Sequence, residues 1–178
     1  VIQFERLLAE VRQHGHQRHI ECAECAAPLR EAAHMYRGEF LQGFILAANP
    51  EFETWQLARR EALRQTMAWV LRMLTIPGAA PAEAPDAHTL RYAQRWVEID
   101  PLNEAAHRVV MELYDAAGER SNALRQYHAC AALLQAELGV APAPETVALY
   151  ERIIVGIPVR MQAFTPPARS SFGRLPAE

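Results

Sequence analysis

The densest group of chemically capable side chains lies near the N-terminus, in the pattern His14-x-His16-x2-His19-x2-Cys22-x2-Cys25. Zinc takes four nitrogen or sulfur donors in a tetrahedron. Cys22 and Cys25, at CxxC spacing, supply two, and any two of the three histidines supply the rest. The same cysteines could instead form a redox couple. A plainer reading stands beside both: a solvated, His-rich turn that leads into two cysteines packed at a helix start. One CxxC without a second, distant pair is a weak signal. Zinc is thus the one cofactor for which the sequence offers donors, and otherwise none is expected.

Elsewhere the chemistry is thin. No nucleophile stands with a base and an orienting group, so an enzyme is not expected. Gly38-x4-Gly43 is followed by Phe44 rather than Lys, which is not a phosphate loop. His107 and His128 occur singly on helical stretches, where packing or solvation is the ordinary role. Cys130 falls at a small-residue position on a helix seam and reads as core. Three cysteines, an odd and low count, make no disulfide framework and suit a reducing, cytoplasmic setting.

The elements that position these residues read as helices almost throughout. Phe4, Leu7, Leu8 and Val11 have the spacing of an amphipathic helix over 3–13. A second helix is expected over 24–36, with Leu29, Ala32, Ala33 and Tyr36 on one face and Gly38 as its stop. Phe40 to Phe44 is too short to stand alone and must pack on something. Asn49-Pro50-Glu51 signals the start of the longest helix, about 50–74. Phe52, Trp55, Ala58, Ala62, Trp69 and Met73 are expected to form its apolar side. Glu53, Gln56, Arg60 and Arg64 read as its solvated stripe. Residues 75–85, rich in proline, read as a loop. Asp86 is placed as the cap of a helix running to Ile99, and Asp100-Pro101 as the opening of the next. That helix spans 103–117, with Ala106, Val109, Val110, Leu113 and Tyr114 inward. Another covers 119–138, with Ala123, Leu124, Tyr127, Ala131 and Leu134 inward, and a last one covers 144–155. No strand is expected. Residues 157–178, with four prolines and little periodicity, read as a linker or tail after a domain spanning 1–156.

Composition narrows the class further. Hydrophobic residues make up 51% and charged residues 22%, enough for a sizeable core. The formal net charge of −3 lacks the basic excess by which a duplex-binding domain displaces counterions. This segment is therefore not expected to grip nucleic acid by itself. No apolar run approaches the roughly 18 residues that span a bilayer, and no signal-peptide pattern opens the chain. It starts at Val1 rather than Met, which suggests an excerpt of something longer.

A repeat emerges at the centre. Tyr114, Gly118, Ala123 and Tyr127 match the tetratricopeptide spacing of aromatic, turn glycine, small residue and aromatic. Ala93 and Trp96 fall on the packing positions of a preceding unit that Pro101 closes. The Pro-rich stretch interrupts that unit, so helix 50–74 is expected to serve as its first helix. Together these readings give an all-α fold of about seven helices, arranged as antiparallel hairpins in a right-handed superhelical array. On the 103–117 helix, Arg108, Glu112 and Asp115 would face the concave side of such an array, as candidate partner contacts or as ordinary solvent-facing charges.

From Gly38 onward the chain resembles the bacterial transcriptional activator domain. Tyr36-Arg37-Gly38-Glu39-Phe40-Leu41-Gln42-Gly43-Phe44 resembles that family's Y-x-G-x-F-L-x-G-F segment. Trp55, Arg59, Arg60 and Leu63 resemble its W-x3-R-R-x2-L helix. Asp100 to His107 with Met111 resembles D-P-L-x-E-x-A-H-x3-M. Gly118 to Tyr127, with Leu133 to Gly139 and Pro142, resembles its closing pattern. Phe4 to Leu8 is similar to the segment that follows a winged helix in such proteins, and Leu175-Pro176 to the start of a linker into an ATPase domain. The resemblance implies a protein-interaction module of a transcriptional regulator, with DNA contact made by a neighbouring domain. Its partners would be another copy, adjoining domains or the transcription machinery, and a homodimer fits. Two other classes stay open: a metal- or redox-sensing helical domain built on residues 14–25, and a stand-alone repeat adaptor.

Overall fold

The computed structural model describes residues 1–14, 22–46, 49–75 and 87–156. Seven helices account for most of these residues, and no strand occurs among them. They are α1 (Ile2–Gln13), α2 (Ala23–Met35), α3 (Pro50–Thr75), α4 (Ala87–Ile99), α5 (Glu104–Ala116), α6 (Arg120–Leu138) and α7 (Pro144–Val155). The boundaries expected from hydrophobic periodicity agree to within a residue or two. Asp86 and residues 76–85 lie outside the described residues, as does the segment 157–178.

Each helix packs against the next, and α7 folds back onto α5 as well as α6. The stack therefore runs as three hairpins and a closing helix. The largest core joins α1 to α4 and reaches the first turn of α5, through Phe4, Leu8, Leu29, Met67, Leu71, Trp96 and Ala106 among others. Met111, Ala123, Leu149 and Ile153 form a second core beneath α7. Between them, Ala93, Val110 and Leu113 tie α4 to α5.

The repeat residues act as their spacing implies. Ala93, Ala106 and Ala123 are fully buried, which lets adjacent helix backbones approach closely. Gly118 turns the α5–α6 hairpin at φ +76°, a left-handed conformation that glycine enters without a Cβ penalty. Its N–H donates to the Asp115 carbonyl, and the Glu119 N–H to that of Tyr114, so the last carbonyls of α5 are met. The Tyr114 hydroxyl accepts a bond from Gln94 Nε2 on α4. Tyr127 stacks on Tyr150 of α7, with ring centroids 4.0 Å apart. Helix α3 packs on α4, as the interrupted unit requires.

Two expectations need correction. The start of α5 is capped by Asn103, whose side chain accepts from the Ala105 N–H at 3.1 Å, and not by Asp100. Asp100 instead accepts from Asn103 Nδ2 and from Arg64, and so joins the turn to α3. The second correction concerns the first half of α3. Gln56 is buried and Arg60 and Arg64 are half-buried, whereas Trp55, Ala58 and Ala62 are exposed. Apart from Glu53, which is exposed as expected, the stripe read as solvated is the one that faces the protein. Backbone carbonyls, rather than apolar side chains, wait for it there.

Candidate functional site

Those carbonyls belong to the segment 36–44. Arg60 donates to the carbonyls of Phe40 and Leu41, both at 2.8 Å. Gln56 Nε2 donates to those of Leu41 and Phe44, at 3.1 and 3.2 Å. From α4, Arg95 reaches the carbonyls of Ala33 and Tyr36. Bonds from ionised donors are the stronger kind, about 1.5–3 kcal/mol each in mutational series. They hold Leu41 at φ +53°, a conformation that costs a non-glycine residue roughly 1–2 kcal/mol. Leu41 thus sits where two side chains of α3 converge on its carbonyl.

Tyr36 and Phe40 of this segment pack against the main core, and Phe44 is exposed. Phe44 packs edge-on to Phe52, Phe52 lies tilted against Trp55, and Trp55 meets Phe40 edge-on, with centroids 5.6–5.8 Å apart. The group is not buried. Trp55 is 50% exposed, Leu57 63% and Ile45 80%, while Gln56 between them is only 7% exposed. Phe44 and Leu46 are exposed too. Polarity is inverted here relative to an ordinary solvent face: Gln56 points inward and the aromatic rings lie at the surface.

The residues proposed on α5 lie elsewhere. Arg108 donates to Thr146 Oγ1 of α7 at 2.9 Å, and that hydroxyl donates to Glu104 Oε2 at 2.6 Å. The same carboxylate oxygen accepts the Ala143 N–H at 2.8 Å, just before α7 begins. Burial raises the Glu112 carboxyl above its usual range, and the cations Arg152 and Arg108 offset part of that. Arg108 and Glu112 are thus turned to α7, and Asp115 is half-buried near the end of α5. Sequence reasoning missed this Glu104–Thr146–Arg108 chain, because Thr146 looked like an ordinary helix residue.

At the N-terminal end, three of the five proposed ligands come together. His14 follows the last turn of α1, Cys22 caps α2, and Cys25 lies in its first turn. One donor atom from each lies within 4.8 Å of the other two. His14 Nδ1 is 3.8 Å from Cys22 Sγ and 3.6 Å from Glu24 Oε2. The bond to His14 holds the Cys22 thiol below its usual range. Burial pushes the Cys25 thiol up to about 11, and that of Cys130 likewise. His16 and His19 lie outside the described residues.

His107 is a packed histidine. It is buried, with Nε2 at 2.8 Å from the Pro101 carbonyl and Nδ1 at 2.7 Å from Gln126 Nε2. Since a carbonyl only accepts and an amide NH2 only donates, the ring is neutral with its proton on Nε2. Burial accordingly lowers its pKa.

Antiparallel helix hairpins with small residues at their crossings and a closing helix define a tetratricopeptide-like domain. The chain belongs to the bacterial transcriptional activator domain family, which matches residues 1–154. No curated protein and no solved structure matched it. Among the described residues, no helix is long and apolar enough to cross a membrane.

Proposed function

We propose that this domain works by contact rather than catalysis, as a protein-interaction module of a bacterial transcriptional regulator. The aromatic group on α3 carries the reading: Phe44 and Trp55 are about half exposed and joined through Phe52, while Gln56 and Arg60 are spent on the backbone of the neighbouring segment. Exposed Trp and Phe on a rigid helix have the composition of interface hot spots. We place this surface ahead of Arg108, Glu112 and Asp115 as the main contact, because Arg108 and Glu112 are turned to α7. Family membership supports the transcriptional setting. Contact with DNA then falls to a neighbouring domain, in keeping with the net charge of −3.

The test is a reporter assay with a regulator that carries this domain. Trp55→Ser combined with Phe44→Ser should leave helical content and promoter binding intact, because both side chains are about half exposed. Transcriptional activation should fall, since loss of one hot spot of about 2 kcal/mol weakens a contact roughly 30-fold. Full activation by the double variant would refute the assignment of this face.

A further inference from the structure

The N-terminal cluster does something the contact reading does not use. We infer that His14, Cys22 and Cys25 form a zinc site that clamps the α1–α2 hairpin at its turn. Their donor atoms come from two helices and converge within 4.8 Å. In tetrahedral zinc, with metal–sulfur and metal–nitrogen bonds of about 2.3 and 2.0–2.1 Å, neighbouring donors stand about 3.5–3.8 Å apart. The 3.8 Å between His14 Nδ1 and Cys22 Sγ already meets that spacing. Cys25 Sγ, within 4.8 Å of both, is the third donor.

The chemistry selects the ion. Two thiolates and a neutral imidazole favour zinc over the hard cations magnesium and calcium, which want oxygen. The two thiolates cancel the charge of the ion, and binding releases their two protons. Helix geometry helps: Cys22 and Cys25 occupy the cap and first turn of α2, where the N-terminal end of the helix favours negative sulfur. Cys22 stands at the N-cap position of α2. A fourth donor, water or an exchangeable ligand, completes the tetrahedron.

Cobalt(II) is the probe, because its tetrahedral thiolate complexes are coloured where zinc is silent. Reduced chain stripped of metal and titrated with cobalt should take up one equivalent. It should show thiolate-to-cobalt charge transfer in the near ultraviolet and intense ligand-field bands in the red. Zinc should then bleach both and raise the melting temperature. Cys22→Ser should lose the charge-transfer band and the zinc-dependent rise. Because serine is a good cap, the same variant should melt no lower than the metal-free parent. This separates loss of metal from loss of folding. His14→Ala should weaken cobalt binding at least tenfold and shift the ligand-field bands. Reduced protein that takes up no cobalt overturns the site, including the case where Cys22 and Cys25 merely form a disulfide in air. Undiminished cobalt binding in Cys22→Ser or His14→Ala overturns it equally.

Discussion

Single residues in this domain are held by bonds whose worth can be measured. For His107, the neutral ring accepts from Gln126 and donates to Pro101. Its pKa is lowered by burial, so the folded state resists a proton that the unfolded chain takes up near pH 6.5. Its contribution to stability is therefore complete above about 6.5 and is lost as pH falls through the depressed folded value. His107→Leu should cost about 1–3 kcal/mol at pH 8, by leaving the Gln126 amide and the Pro101 carbonyl without partners. It should also flatten the loss of stability between pH 7 and 5 relative to the parent chain. Urea unfolding at both pH values checks this, and an unchanged slope would show that His107 does not titrate as described. Glu104 gives a second case. Its carboxylate holds Thr146 and the Ala143 N–H, and thereby the start of α7. Glu104→Ala should cost about 1–3 kcal/mol and speed amide exchange across Pro144–Val155. Exchange confined to α5 would count against it.

At the scale of elements, helix identity was legible and helix facing was only partly so. The 3.6-residue period of Phe4, Leu8 and Val11, or of Ala106, Val110 and Leu113, is a direct imprint of burial. Caps and glycines fixed most ends. The first half of α3 defeats that logic, because its inward face meets main chain instead of side chains. Gln56 and Arg60 are polar for that reason, and a hydrophobicity pattern reads them backwards. Of the paired arginines, Arg60 holds the backbone of the aromatic segment, whereas Arg59 pairs with Glu5 of α1. Arg60→Ala should therefore destabilise the chain by about 2 kcal/mol or more, since it removes two charge-assisted bonds to carbonyls. The two glycines of the segment should differ. Gly43 sits at φ +76°, so Gly43→Ala should cost about 1 kcal/mol. At Gly38 the φ is ordinary, and a new Cβ meets only the end of the Gln42 side chain at 3.3 Å, so Gly38→Ala should cost less. Thermal unfolding of the three variants ranks them, and an Arg60→Ala chain as stable as the parent would remove the pinning argument. The ligand cluster was half legible. Sequence named all three converging residues, but it could not tell His14 from its neighbours, because the choice depends on where α1 ends relative to α2.

For the whole molecule, the hairpin stack gives a rigid body with three cores in series and an unusual allocation of polar groups. The aromatic group at Phe44 and Trp55 is where the domain is expected to meet another protein, and the hairpin end at Cys22 is where it is expected to hold a metal. These two places lie on different helices and can fail independently. Hydroxyl-radical footprinting bears most directly on the first, because it reads side-chain exposure residue by residue. In the isolated chain, Trp55, Leu57 and Phe44 should be modified readily, as their exposure demands. In a regulator carrying this domain, assembled on its promoter with RNA polymerase, Trp55 and Phe44 should be protected while exposed side chains on other faces, such as Leu138 and Val140, stay reactive. Equal modification of Phe44 and Trp55 in the two states would contradict the claim that this aromatic group is the contact surface.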